Sequence, residues 1–223
     1  EFEISFEAPI VGAFYGELLK ELTDKNRIRE IIPESATQKV TAWDLGMSDS
    51  TAIWVAEIIS GEIRVMDFYE ANGESLDHYI KWLDEKGYRD YTHIMPHDVN
   101  VRELQTGKSR YQFLTEAGLE IEVAPKSSVE DGIQAVRRIL PNCWFNKDKT
   151  RSGVECLQNY RRVFNEKTSS FQNRPLHDWS SHAADAFRYL ALGMDAAGNG
   201  QRTDWSKPFE TTVDGDSYKD YYV

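Results

Sequence analysis

Hydrophobic and polar positions along the chain follow two rhythms, and the switches between them mark the predicted elements. Residues 39–45 alternate apolar and polar with period two, and Gly46-Met47-Ser48-Asp49-Ser50 follows as a turn. Residues 51–59 are apolar and β-branched, Ser60-Gly61 reads as a hairpin turn, and residues 62–69 read as a third strand. The spacing then becomes helical over 75–86, with Ser75 as cap, Leu76, Tyr79, Ile80 and Leu83 on one face, and Gly87 as the stop. Residues 91–98 form a fourth predicted strand, 110–117 a short helix and 119–124 a fifth strand. A helix over 129–140 carries Ile133, Val136, Arg137 and Leu140 at helical spacing, a brief strand covers 143–145, and the last two helices span 153–164 and 179–194. A three-strand meander followed by alternating helix and strand predicts an α/β class, a mixed five-stranded or slightly larger sheet with helices on both faces.

The flanks lack this periodicity. Residues 1–38 hold an apolar opening (Ile4, Phe6, Ile10, Val11), a helix-like stretch over 16–26, and Pro33-Glu34-Ser35, which reads as a linker arm with one short helix. Residues 39–194 form the expected domain. Residues 195–223 turn polar and Gly-bearing, with the aromatics Trp205, Phe209, Tyr218, Tyr221 and Tyr222, and are expected to be an extended tail. Because the chain begins at Glu1 rather than Met, it reads as a piece of something longer.

Composition changes the picture in two places. No apolar run approaches the roughly 20 residues needed to span a bilayer, which argues against a membrane protein. Cys143 and Cys156 have no zinc-like spacing and read as reduced, partly buried thiols of a cytosolic protein. The net charge of −11 argues at first sight against a nucleic-acid partner. The basic charge is segregated, however: residues 101–170 carry 12 Lys+Arg against 9 Asp+Glu, while the remainder carries 14 against 28. Such segregation is compatible with a local phosphate-binding face and equally with an ordinary acidic enzyme of mixed surface.

Three acidic residues stand out by position. Asp44 ends the first predicted strand, Asp98 ends the fourth, and Asp185 sits in the last helix between Ala184 and Ala186. On that helix Ala183, Phe187, Leu190 and Met194 form one stripe, while Asp178, His182, Asp185 and Tyr189 form another. Small residues let such a helix approach a neighbour closely, so its polar stripe is expected to face a site. Each residue also has a plain structural reading: a strand-end Asp before Gly is often a turn former, Asp178 suits a helix cap, and His182 suits a surface position. The joint order, strand-end Asp, strand-end Asp and helical Asp, is what points to chemistry. Two divalent cations about 3.5–4 Å apart, held by a few carboxylates, hydrolyse phosphodiesters, and hard Mg²⁺ or Mn²⁺ needs no Cys or His cluster.

These residues resemble the nuclease domain of the large terminase subunit of tailed bacteriophages. Thr41-Ala42-Trp43-Asp44-Leu45-Gly46, with Asp49, Thr51 and Ala52, resembles that family's first acidic motif, and His97-Asp98 its second. The stretch from Leu176 through His177-Asp178-Trp179-Ser180-Ser181-His182-Ala183-Ala184-Asp185-Ala186-Phe187-Arg188-Tyr189 resembles its third and is the most specific. Cys143-Trp144-Phe145, Leu157-Gln158-Asn159-Tyr160-Arg161-Arg162 and the opening Ser5-Phe6-Glu7-Ala8 through Gly12-Ala13-Phe14-Tyr15-Gly16 also fit. The resemblance covers residues 1–194 and implies a ribonuclease H-like fold and two-metal cleavage of concatemeric viral DNA with little sequence preference. It also implies metal ligation by Asp44, Asp98 and Asp185, with Asp49, His182 and Asp178 near the site. The partners it implies are double-stranded DNA, an upstream ATPase domain on the same polypeptide, the procapsid portal and the small terminase subunit. The implied location is the procapsid vertex in the cytoplasm of an infected bacterium. The chain itself has no GxxxxGK[ST] phosphate loop.

Rival readings divide on sequence features. Actin-like and sugar kinases share the opening Asp-x-Gly but need a later Gly-rich loop, and residues 119–194 hold only Gly132, Gly153 and Gly193. Transposases and junction resolvases share the carboxylate logic but leave the stretch from Ser180 to Tyr189 unexplained. A non-catalytic module that docks on the portal is the alternative from another class.

The DNA track is expected at Lys147, Lys149 and Arg151, a short positive turn after the 143–145 strand. Replacing all three with Ala should lower the salt slope of duplex binding by about 0.9 for each phosphate interaction removed, without changing sequence preference. Titration of labelled duplex at several salt concentrations measures this, and an unchanged slope places the track elsewhere.

Overall fold

Pairing of the period-two segments produces one seven-stranded sheet. A computed structural model describes residues 10–33, 36, 38–46, 50–102 and 107–198. In chain order the elements are α1 (Gly16–Asp24), β1 (Ile28–Arg29), β2 (Gln38–Asp44), β3 (Ser50–Ile59), β4 (Glu62–Asn72), α2 (Leu76–Lys86), β5 (Thr92–Met95), a 3-10 turn (His97–Asn100) and α3 (Arg110–Glu116). After these come β6 (Glu120–Val123), α4 (Val129–Ile139), a second 3-10 turn (Leu140–Asn142), β7 (Cys143–Asn146), α5 (Arg151–Asn159), β8 (Arg162–Asn165), β9 (Ser170–Pro175) and α6 (Ser181–Gly198). The strand order is β1-β7-β4-β3-β2-β5-β6. β3 runs antiparallel to β2 and β4, and every other pairing in this sheet is parallel.

Both faces are covered, so each strand carries two apolar sets. Val40 and Ala42 look toward α1, α4, α5 and α6, in a core that includes Trp54, Leu19, Ile133, Leu157 and Phe187. Trp43, Ile53 and Val55 look the other way, toward α2 and α3, with Tyr79, Leu83 and Leu114. A buried polar chain fixes the register of β2 against β5. The Trp43 indole N–H donates to Thr41 Oγ1 at 2.7 Å, and Thr41 Oγ1 meets His93 Nδ1 at 2.7 Å. His93 Nε2 donates to the Arg89 carbonyl at 3.1 Å. Burial holds His93 down to about 4, so the ring is a neutral strand-to-strand staple. The two strands that end near Asp44 and Asp98 are thereby locked side by side.

The architecture is the α/β sheet expected, with three departures. The short helix expected over 16–26 is α1, but it packs into the domain instead of standing in an arm, and residues 28–29 after it form β1. Leu19 and Leu22 are buried in the first core, and β1 pairs in parallel with β7 through Ile28↔Phe145. The helix expected over 153–164 ends at Asn159, because Tyr160 turns to extended backbone (φ −65°, ψ 108°). Its ring is buried and stacks on Tyr15 at 5.8 Å, and the chain then forms the β8–β9 hairpin, turning at Ser169 (φ 48°). The last helix begins at Ser181 rather than 179, because Asp178 organises a preceding turn: its Oδ1 accepts from the Ser180 backbone N–H at 2.9 Å and from Ser180 Oγ at 2.6 Å. At its far end α6 runs through the first residues of the expected tail, and residues 199–223 lie outside the described residues.

Gly153 lets α5 lie against the sheet, since a Cβ there would collide with ring carbons of Trp54 and Phe68. Gly153→Ala should therefore destabilise the fold by about 1–3 kcal/mol despite the better helix propensity of Ala. Urea unfolding of both proteins measures it, and equal midpoints would contradict this packing.

Candidate active site

Period two in β2 places Asp44 on the same face as Val40 and Ala42, under α6. His182 lies in the first turn of α6, and its Nδ1 meets Asp44 Oδ2 at 3.0 Å. Burial raises Asp44 from 3.8 to about 6, the His182 hydrogen bond opposes this, and the Asp185 carboxylate raises it further. Asp44 and Asp185 therefore share one electrostatic locus.

Asp185 sits almost one turn beyond His182, and its Oδ1 collects three donors. Arg188 contributes Nη2 at 2.7 Å and Nε at 3.2 Å, and the Tyr160 hydroxyl lies at 3.4 Å. Asp98 falls on the exposed 3-10 turn just past β5. That strand is β2's parallel neighbour, with Ala42 opposite Ile94, so both acids leave the sheet at the same edge. The field of all three meets at Tyr189 on α6. Its phenol is held far above the ordinary range, by burial first and then by Asp44, Asp185 and Asp98, against an opposing Arg188.

The other residues singled out from sequence are placed differently. Asp178 serves the turn before α6 and pairs with Arg161 Nη2 at 3.4 Å, so its carboxylate is committed there. Asp49 lies outside the described residues. Lys147 and Lys149 are exposed on the turn after β7, and Arg151 faces Asp148 at 3.8 Å. Because β7 is parallel to β4 and β4 runs with β2, this turn opens on the Asp44 edge, three strand spacings or about 14 Å along the sheet. Sequence reasoning named Arg188 and Tyr160 within the resembling stretches but gave them no role, and it did not single out Glu70. Glu70 aligns with Asp44 across Ala52, on the same face two strands away. The signal for Glu70 was the pairing register, which is not a local pattern.

Among the described residues no three His, Cys, Asp or Glu side chains converge closely enough to hold a metal ion together. The donors nonetheless suit a hard cation. They are carboxylate oxygens, one at an exposed strand end free to take up a position, and Mg²⁺ keeps several waters and needs only one or two carboxylates. A sheet in which β2, β3 and β4 form an antiparallel meander, extended by parallel strands, with acids at its carboxyl edge and a helix closing over them, defines an α/β domain of ribonuclease H-like class.

Comparison with solved structures narrows this. The chain has the fold of the nuclease domains of phage large terminases. The large terminase of a thermophilic bacteriophage superposes with a TM-score of 0.60 at 16% identity, over 79% of this chain and 45% of that one. The P22 large terminase nuclease domain gives 0.58 at 15%, over 76% of this chain and 89% of that domain. The large terminase nuclease of the thermophilic phage G20c, solved with bound magnesium, gives 0.55 at 13%, over 82% and 98%. This chain thus spans less than half the length of the first of these proteins and nearly all of the isolated G20c nuclease. No family model matches the sequence, and no curated protein matches it.

The raised Asp44 fixes the sign of a pH effect. The folded chain binds the proton up to about pH 6, whereas the unfolded chain releases it near 3.8. Stability from this group is full below the lower value and is lost as pH rises through the upper one. Asp44→Asn should therefore be more stable than the parent above pH 6, by about 3 kcal/mol, with the gap closing below pH 4. His93 acts with the opposite sign but is common to both proteins. Unfolding curves of the pair between pH 4 and 8 check this, and a pH-independent gap would refute a burial penalty on Asp44 that outweighs its His182 contact.

Proposed function

We propose that this chain is the nuclease domain of a tailed-bacteriophage large terminase, a metal-dependent endodeoxyribonuclease that cuts concatemeric viral DNA during packaging. The observation that carries this reading is the approach of Asp185 and His182 on α6 to Asp44 at the carboxyl edge of β2, within the fold of terminase nuclease domains. The bound magnesium of the similar G20c nuclease supports a divalent cation here.

In this reading Asp44, Asp98 and Asp185 hold two Mg²⁺ or Mn²⁺ ions. When bound, such ions activate a water nucleophile and stabilise the leaving oxygen of a phosphodiester. His182 fixes the orientation of Asp44 through its 3.0 Å contact. Arg188 and Tyr160 fix Asp185. Tyr189, partly buried on the same helix, stays a protonated phenol under the charge of all three acids. Phosphate contacts to the basic segment position the DNA in this reading, and such contacts carry no sequence information, in keeping with cleavage of little sequence preference. The partners proposed are double-stranded DNA, an ATPase domain on the same polypeptide, the procapsid portal and the small terminase subunit, with action at the procapsid vertex in the host cytoplasm. Among the described residues no helix is long and apolar enough to cross a membrane.

Supercoiled plasmid incubated with the chain and Mn²⁺ should be nicked and then linearised, and chelator should abolish this. Asp44→Asn, Asp98→Asn and Asp185→Asn should each slow cutting at least about a hundredfold, some 2.7 kcal/mol of activation free energy. His182→Ala should be milder. Plasmid that stays supercoiled at high protein and Mn²⁺ concentration would remove the nuclease reading, and full activity in Asp185→Asn would remove the helical ligand.

A further inference from the structure

Arg188 lies in the third acidic stretch without being assigned a role by it, and it is buried beside Asp185. Only 8% of the residue is exposed, and a guanidinium that deep is costly unless it is paired and hydrogen-bonded. Its pairing is lopsided. Nη2 at 2.7 Å and Nε at 3.2 Å both meet Oδ1 of Asp185, and the Tyr160 hydroxyl reaches the same oxygen at 3.4 Å. Oδ2 of Asp185 makes no hydrogen bond among the described residues, and the side chain keeps 27% exposure.

The neighbouring helix makes room for this arrangement. Gly132 lies within α4, where glycine is a poor helix former. A Cβ at that position would stand 3.2 Å from Arg188 Cδ, 3.4 Å from Nη1 and 3.5 Å from Cβ. The second donor is braced as well. Tyr160 is 1% exposed, stacks on Tyr15 at 5.8 Å, and its carbonyl accepts from the Phe14 backbone N–H at 2.9 Å.

We propose that Arg188, seated against Gly132, is a positioning residue that engages Oδ1 of Asp185 so that Oδ2 alone is presented to a divalent cation. The inference rests on the nuclease reading above and deepens it, naming what orients one ligand. A carboxylate pinned by one oxygen binds through the other without the entropic cost of freezing its rotation. Partners of this kind commonly change metal affinity 10- to 100-fold when removed. Simple charge balance makes the opposite forecast. A cation beside a metal site repels the incoming ion, so its geometry would be irrelevant and its removal would tighten binding.

Mn²⁺ titration calorimetry on the 223-residue chain separates the two. Arg188→Lys keeps the charge and loses the paired Nε and Nη2 donors, and its Mn²⁺ dissociation constant should rise about tenfold. Gly132→Ala changes no charge and touches no ligand, but displaces the Arg188 arm, and it should weaken Mn²⁺ binding several-fold in the same direction. Because alanine favours the helix, this variant carries the test even where Arg188→Lys fails to fold. Melting temperatures without metal, recorded alongside, show whether the loss is specific to Mn²⁺. Unchanged Mn²⁺ affinity in both variants, with binding abolished in Asp185→Asn, overturns the positioning role and leaves the nuclease reading standing. A parent chain that takes up no Mn²⁺ overturns both.

Discussion

The close seating of α6 on the sheet is the constraint from which the rest of the site follows. Ala183, Ala184 and Ala186 are fully buried, and the Trp54 indole N–H donates to the Ala183 carbonyl at 2.7 Å. Farther along, a Cβ at Gly193 would come within 2.8 Å of Ile94 Cδ1, so the helix also meets β5 at close range. A helix carrying larger side chains on this face would stand off the sheet. His182 would then lose its 3.0 Å contact with Asp44, and a displacement of about 1 Å is enough to spoil a ligand constellation.

Seating the helix so closely brings carboxylates together under cover, and the two that meet there are treated differently. Asp185 is compensated by a buried guanidinium and a phenol hydroxyl. Asp44 has His182 as its close partner, and its burial outweighs that contact, so it is driven toward the protonated form. The fold therefore braces one acid with two donors and leaves the other buried against its charged form. Asp98 stands apart from both, on the exposed turn just past β5. The staple from Trp43 through Thr41 and His93 to Arg89 lies on the opposite face, where it aligns the two strand ends without adding charge to the site.

Much of this is legible in the sequence, because local periodicity reports which face of an element is buried. Spacing alone gives the meander β2–β4, the helices α2, α3 and α4, and the positions of Asp44, Asp98 and Asp185 at the ends or faces of their elements. The start of β8 reads as helix in the sequence because residues 154–164 contain no glycine or proline. What stops α5 is Tyr160, drawn into a stack with Tyr15, far earlier in the chain.

The sequence alone determined the kinds of element, their order and the acidic residues that punctuate them, since these depend on neighbours within a few positions. Tertiary structure decided the rest. It packed the short helix of the expected arm into the core and made an edge strand of the residues after it, by pairing Ile28 with Phe145. It committed Asp178 to Ser180 and Arg161, and it set Arg188 into the space left by Gly132 to meet Asp185. Ser180 and Asp185 are chain neighbours of their partners, but Phe145, Arg161 and Gly132 are brought in from distant segments that no local pattern encodes. Which donor reaches which carboxylate oxygen is fixed only when a buried charge must find its partner among groups the fold has already placed.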